Sequence, residues 1–368
     1  MNVVFGAGLV GEALYEACKV LGIKISCFCD NDISLNGTLL KGIPVIYPSG
    51  LKRKDTTFYI SCADINDIVV QLKKLGYTDW RSCSLLKDFD LSSYKFSQPL
   101  EVVIEKVKTA LLCHDQSDKV FVRSVEVIVT ERCSLHCRDC SNLMRYYQHP
   151  VDTSLEEINK DMDRICQLTD GINEFRILGG EPFMNREVHL MIKRLLVQDK
   201  VRKVVIYTNG TIVPTDEQLE AITDPKVLFI ITDYGKLSVN LERLKAKLEG
   251  KINYTVQKVG GWTDCNKIAK HNRKDNQKIF DLCCAKNTIT ISHGFLFRCP
   301  FAANANRLNA VPDFRNDKFD LNGTKQGLKK YLREKKYPNV CDYCNGRTFG
   351  DPEIEPAIQQ LEVIKINV

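Results

Sequence analysis

The segment SVEVIVTERCSLHCRDCSN restricts this chain more than any other. It opens as a run of β-branched residues, the mark of a buried strand, and ends in a loop carrying Cys133, Cys137 and Cys140 with the spacing C-x3-C-x2-C. Three thiolates can hold three irons of a 4Fe-4S cluster and leave the fourth iron open to an outside ligand. A tetrahedral zinc site, with His136 as the fourth ligand, draws on the same residue types and stays open at this point.

The residues that follow alternate between two periods. Thr153 begins T-x-x-E with Glu156, a capping box that predicts an amphipathic helix through Leu168. The strand EFRIL then runs into a turn of Gly179, Gly180, Glu181 and Pro182. After another helix, KVVIYTNG is a strand ending in Thr208, Asn209 and Gly210; VLFIITDYG, with Asp233 near its end, and INYTVQ are two more. Strands separated by helices predict a parallel sheet or barrel with its site at the carboxyl ends of the strands, where each of these motifs falls.

In this order the motifs resemble the radical SAM superfamily: a cysteine loop after the first strand, GGEP after the second, TNG closing the third, over roughly residues 120–260. The resemblance implies an enzyme built on a partial (β/α)6 barrel, in which the amino and carboxyl groups of S-adenosylmethionine (SAM) chelate the open iron. It further implies that the Gly179–Glu181 backbone and side chain help bind the SAM amino group, that Asn209 with Thr208 lies near the ribose or methionine portion, and that Asp233 is a further SAM or substrate contact. The chemistry implied is oxidoreductase-type: a 5′-deoxyadenosyl radical abstracts hydrogen from substrate, and a flavodoxin- or ferredoxin-type protein delivers the electron.

Beyond the barrel, Cys284 and Cys299 stand in C-x9-G-x4-C and are followed much later by Cys341-x2-Cys344. TITISHGFLFRC reads as a hairpin with its turn at Ser292, His293 and Gly294. Four thiolates suit a fully ligated second 4Fe-4S cluster, with zinc as the alternative. Cys283 can exchange roles with Cys284, and Cys265 is core, a fourth ligand or a hydrogen-atom donor. Trp262 and Asp264 read as a capping loop or as substrate contacts. The pattern resembles the twitch domain, the shortened relative of SPASM; no cysteine follows Cys344, where Gly350 stands in the later ligand zone, so one auxiliary cluster is implied rather than two.

Residues 3–30 read strand, tight turn, helix, strand, with Gly6, Gly8 and Gly11 in G-x-G-x-x-G at the first junction and Asp30 or Asp32 after the next strand. This predicts a Rossmann-like parallel sheet over 1–95 that holds a nucleotide, or one whose glycines serve the turn alone. The opening also resembles the small front domain of some sugar-modifying acyltransferases, which implies a nucleotide sugar as its ligand. Apolar residues at helical spacing predict a connecting helix within 96–120, then the barrel over 121–260 and the auxiliary domain over 261–368.

Sixteen cysteines in a chain with no apolar run long enough to span a membrane, and with a start that runs straight into a strand, place it in the reducing cytosol. Cys18, Cys27, Cys29, Cys62 and Cys83 sit among apolar neighbours and read as core. The net charge of +6 is spread over 52 basic and 46 acidic residues, which argues against a nucleic-acid groove and leaves acidic substrates open. The expected function is oxidation of a carbohydrate or nucleotide-linked sugar. The alternatives are peptide or protein modification, epimerisation with Cys265 or Cys283 as hydrogen donor, and a non-catalytic iron-sulfur or zinc scaffold.

Overall fold

A computed structural model describes residues 1–366 apart from 64, 115–118, 287, 335 and 348–350. Part of the expected connector (115–118) and Gly350 therefore lie outside the described residues. The chain forms two compact units, Met1–Lys119 and Val120–Val368.

In the first unit, β1 (Asn2–Phe5) is followed by α1 (Leu9–Val20), β2 (Cys27–Cys29), β3 (Leu39–Leu40), β4 (Ile43–Ile46), β5 (Thr57–Ile60), α2 (Ile65–Lys74), β6 (Asp79–Arg81) and α3 (Leu100–His114). The sheet order is β3-β4-β2-β1-β5-β6, parallel except for β3. Alternation sends Val4 and Phe28 to one face and Val3, Phe5, Phe58 and Ile60 to the other, and helices cover both. The helix expected as a connector is part of this core: Val103, Val107 and Ala110 of α3 pack with Ala13, Leu14 and Ala17 of α1, because its apolar stripe needs a face to bury. Cys18, Cys27, Cys29 and Cys83 are buried, and desolvation pushes Cys18 and Cys27 up to about 11, as inert core thiols.

The second unit begins with β7 (Phe121–Ile128), α4 (Leu155–Leu168), β8 (Gly171–Leu178), α5 (Val188–Leu196), β9 (Val201–Thr208), α6 (Asp216–Ala221), β10 (Val227–Asp233), α7 (Leu241–Leu248) and β11 (Asn253–Lys258). It continues through β12 (Trp262–Thr263), α8 (Asn276–Leu282), β13 (Ile289–Ser292), β14 (Phe295–Phe297), α9 (Pro300–Arg307), β15 (Lys318–Asp320), α10 (Lys325–Arg333) and β16 (Glu353–Ile354). The main sheet runs β11-β10-β9-β8-β7-β13-β14-β15. Only five strands, β7 to β11, follow the expected β/α repeat. The sixth parallel strand, β13, joins the opposite edge beside β7, and the antiparallel β14 and β15 extend it. The predicted hairpin is therefore sewn into the barrel sheet, and His293 and Gly294 turn it with φ of 49° and 77°.

Helices α4 to α7 all lie on one face of this sheet. Ile158, Met162, Met191, Ile192, Leu244 and Leu248 pack there against Val125, Val127, Phe175, Ile177, Ile206 and Phe229. The expected capping box is shifted by one residue: Ser154, not Thr153, accepts the Glu157 amide at 3.2 Å, while Thr153 Oγ1 donates to Ile128 O at 3.0 Å and ties the helix entry to β7. No helix among the described residues is long and apolar enough to cross a membrane. Phe175 is fully buried at the centre of the helix-covered face. Replacing it by alanine is expected to cost about 3–5 kcal/mol, readable as a lower urea midpoint at unchanged slope.

Candidate active site

The cysteine loop leaves β7 at the carboxyl edge of the sheet, and the second motif lies directly on it. Gly180 N donates to Thr130 O at 3.0 Å and Glu181 N to Arg132 O at 2.9 Å. This approach has no room for side chains. A Cβ on Gly179 would meet Thr130 O at 2.4 Å, and one on Gly180 would meet Arg132 O at 2.1 Å and Cys133 Cβ at 2.8 Å.

Glu181 is thereby placed beneath the turn, wholly buried. Its Oε1 accepts from Thr208 Oγ1 and its Oε2 from Asn209 N, both at 2.9 Å. Burial pushes its carboxyl up to about 7, against those hydrogen bonds. The side chain expected to contact SAM thus accepts from the TNG strand end, and the Thr208 hydroxyl donates to it. Asn209 faces the cysteine loop, its Nδ2 donating to Ser134 Oγ at 3.2 Å and lying 3.7 Å from Cys133 Sγ. Asp233, at the end of β10, accepts the Gly235 amide at 2.8 Å.

Cys133, Cys137 and Cys140 gather with Leu135, Tyr234 and Trp262. Burial pushes Cys137 up to about 11 and drives Cys133 and Cys140 upward as well. Buried thiols in this state ionise only when a cationic group takes them as ligands, which is what an iron-sulfur cluster does. The donor set fits that group.

One layer below the motifs, the sheet face opposite α4 to α7 carries a polar row. Glu126 of β7 stands in register with Thr290 of β13 on one side and Arg176 of β8 on the other. Arg176 lies 3.4 Å from Glu126, donates to Glu174 at 2.8 Å and sits over the Tyr207 ring. Burial pushes Glu126 up to about 7, opposed by Arg176. Sequence reasoning missed this row, although period-2 alternation within VEVI and FRIL was the available signal.

The later cysteines meet elsewhere in the second unit. Cys283, Cys299, Cys341 and Cys344 line one cavity together with Arg298 and Gly346. Cys284, expected from its spacing, is not among the lining residues; its amide donates to Arg347 O at 2.9 Å, while Cys283 borders the cavity. Backbone amides point at three of the four sulfurs: Ala285 N at Cys283 (3.4 Å), Ala302 N at Cys299 (3.4 Å) and Gly346 N at Cys344 (3.3 Å). Cys265, buried, accepts from Cys344 Sγ through its carbonyl at 3.5 Å.

In the first unit, Gly6 and Gly11 are needed for packing. A Cβ on Gly6 would meet Ser61 Oγ at 2.3 Å, and one on Gly11 would meet Gly6 O at 2.0 Å, whereas Gly8 has open space around it. The Asp30 carboxylate accepts from Ala7 N at 2.7 Å and Asp32 N at 2.9 Å, so it braces the glycine turn.

Residues 127–254 match the family model described as the radical SAM superfamily. The chain is 28% identical over 144 residues to a GTP 3′,8-cyclase of Petrotoga mobilis, covering 35% of this chain and 44% of that protein. It is 32% identical over 148 residues to the GTP 3′,8-cyclase of Clostridium acetobutylicum, covering 39% and 43%. It therefore spans less than half the length of these relatives. A crystal structure of BtrN in complex with AdoMet and 2-DOIA aligns over 61% of this chain and 93% of its own, with 18% identity and a TM-score of 0.41.

Two outcomes follow from the turn. Gly180→Ala forces a side chain onto Arg132 O and is expected to cost about 1–3 kcal/mol by chemical denaturation. Glu181, with its folded pKa raised, binds a proton in the folded state that the unfolded chain has released. Its contribution is therefore present below the unfolded carboxyl range and lost as pH rises through about 7. Melting temperature plotted against pH between 5 and 8 is expected to fall less steeply in Glu181→Gln than in the parent.

Proposed function

We propose that this chain, whose residues 127–254 match the radical SAM superfamily, oxidises a small polar substrate, a carbohydrate or nucleotide-linked sugar. When bound, the 4Fe-4S cluster and SAM of this family supply an electron and a 5′-deoxyadenosyl radical that removes a substrate hydrogen, and a second cluster offers a sink for the electron left behind. In this reading Cys133, Cys137 and Cys140 hold the first cluster. The Gly179–Gly180 backbone, Asn209 and Asp233 border SAM, while Glu181 and Thr208 position that border. Cys283, Cys299, Cys341 and Cys344 hold the second cluster, and a flavodoxin- or ferredoxin-type protein is the reductant.

The observation that carries the substrate class is the row of Thr290, Glu126 and Arg176 on the sheet face opposite α4 to α7. Parallel sheets are ordinarily covered by apolar groups on both faces, and charged groups on an inner face need polar partners. Glu126 and Arg176 already pair with each other and with Thr290 and Glu174, and a polyol extends that set: its hydroxyls donate to Glu126 and accept from Arg176. With a carboxyl pushed to about 7, Glu126 takes up the proton of a hydroxyl under oxidation near neutral pH. In the first unit, the space beside Gly8 at the start of α1 suits a phosphate of a nucleotide sugar.

Anaerobic reconstitution with iron, sulfide, dithionite and SAM is expected to give 5′-deoxyadenosine well above a Cys133→Ala control, rising further with nucleotide sugars as probes. Iron should approach about eight per chain, and about four in Cys283→Ala, with Cys284→Ala retaining the full content. A parent that forms no more 5′-deoxyadenosine than the Cys133→Ala control overturns the catalytic reading. Loss of half the iron in Cys284→Ala instead of Cys283→Ala overturns the ligand choice.

A further inference from the structure

The loop that carries the three cysteines is covered by a segment more than two hundred residues later in the chain. Residues 353–364 are seated on it at several points. Glu353 and Ile354 pair with Thr263 and Trp262 as a two-stranded ribbon. Arg138 N donates to Ile358 O at 2.8 Å and Gln360 N to His136 O at 2.7 Å, so the segment runs antiparallel to the cysteine loop with Gln359 opposite Cys137. Farther along, Ile364 N donates to Arg145 O at 2.8 Å, and the Arg145 guanidinium donates back to Leu361 O.

The Gln359 side chain points into the cluster site in a defined orientation. Its Oε1 accepts the His136 amide at 2.7 Å, and its Nε2 donates to Ala357 O at 2.7 Å. Those two partners decide which end of the carboxamide is which. The nitrogen that results lies 3.4 Å from Cys137 Sγ, as a donor to the sulfur. Ala357, whose φ of 56° is unusual for a residue with a Cβ, makes the turn that brings this stretch onto the loop, and its side chain is buried against Leu135 and Cys137.

We propose that residues 353–364 form a built-in strap of the cluster site, and that Gln359 is a positioning residue which sets the reduction potential of the cluster through its hydrogen bond to the Cys137 sulfur. The proposal rests on the reading that Cys133, Cys137 and Cys140 hold a redox cluster. Reduction adds negative charge to the cluster and its thiolates. A donor aimed at one sulfur stabilises the reduced state more than the oxidised one, so the bond raises the potential and makes the cluster easier to reduce. The strap also follows closely on Cys341 and Cys344, so the chain that borders the second cysteine cavity leads directly to the first cysteine loop.

The test is an EPR-monitored redox titration of the reconstituted holoenzyme at pH 8, following the signal that responds to added SAM, in the parent, Gln359→Leu and Gln359→Glu. Leucine removes the donor. Glutamate keeps the shape and the acceptor for His136 N but presents a carboxylate to the sulfur. Both midpoints are expected to fall below the parent, with glutamate lower. Hydrogen exchange at the Gln360 and Arg138 amides reports whether the strap is seated, and Gln359→Glu is expected to keep their protection. A midpoint unchanged or raised in Gln359→Glu, with those amides protected, overturns the proposal, and so does loss of their protection without a fall in potential. The absence of any SAM-responsive signal in the parent overturns the underlying cluster reading instead.

Discussion

The second unit depends on one close contact: the backbone of Gly179–Gly180 resting on that of Thr130–Arg132. Two carbonyls lie where Cβ atoms would be, so the contact exists only for glycine. From it follows the depth at which Glu181 is held, and from that depth the capture of Thr208 and the Asn209 amide by the same carboxylate. Asn209 is then aimed at Ser134 beside Cys133. Three strand ends far apart in sequence are joined through a single buried acid and the hydrogen bonds it accepts.

The sheet beneath divides its labour by face. One face is apolar and helix-covered, and supplies the rigidity that keeps the strand ends in place. The other carries Glu126, Arg176 and Tyr207, joined with Glu174 and Thr290 in a polar network across neighbouring strands. Glu131, at the root of the cysteine loop, is held by Arg307 of α9 in a buried, two-pronged ion pair at 2.7 and 3.0 Å. The region after the barrel thus braces the cysteine loop from below through Arg307, while the strap closes over it through Gln359. Both braces use a planar, multi-donor group, which fixes orientation as well as distance.

Sequence motifs were most legible where a short stretch carries its own geometry. C-x3-C-x2-C, Gly179–Gly180 and the strands ending in Thr208 and Asp233 are local patterns, and period and turn chemistry are enough to place them. A one-residue shift already escaped: Thr153 and Ser154 are both good caps, and the choice fell to Ser154 because Ile128 O claims the Thr153 hydroxyl. The same holds for Cys283 and Cys284. Adjacent thiols are equivalent to any spacing rule, and the one that enters the cavity is decided by the turn that follows α8.

What the sequence determined by itself is the class of chemistry and the β/α rhythm, since thiol spacing, glycine turns and hydrophobic period act over a few residues. Tertiary structure alone decided the rest: that β13 joins the sheet beside β7, that α3 is core to its unit, that Glu126 faces Arg176, and that Gln359 lies on Cys137. Each of these is a pairing across a long stretch of chain. Such a pairing is chosen by which edge remains unpaired and which apolar surface remains bare after the local elements have formed, and no window of the sequence contains both partners.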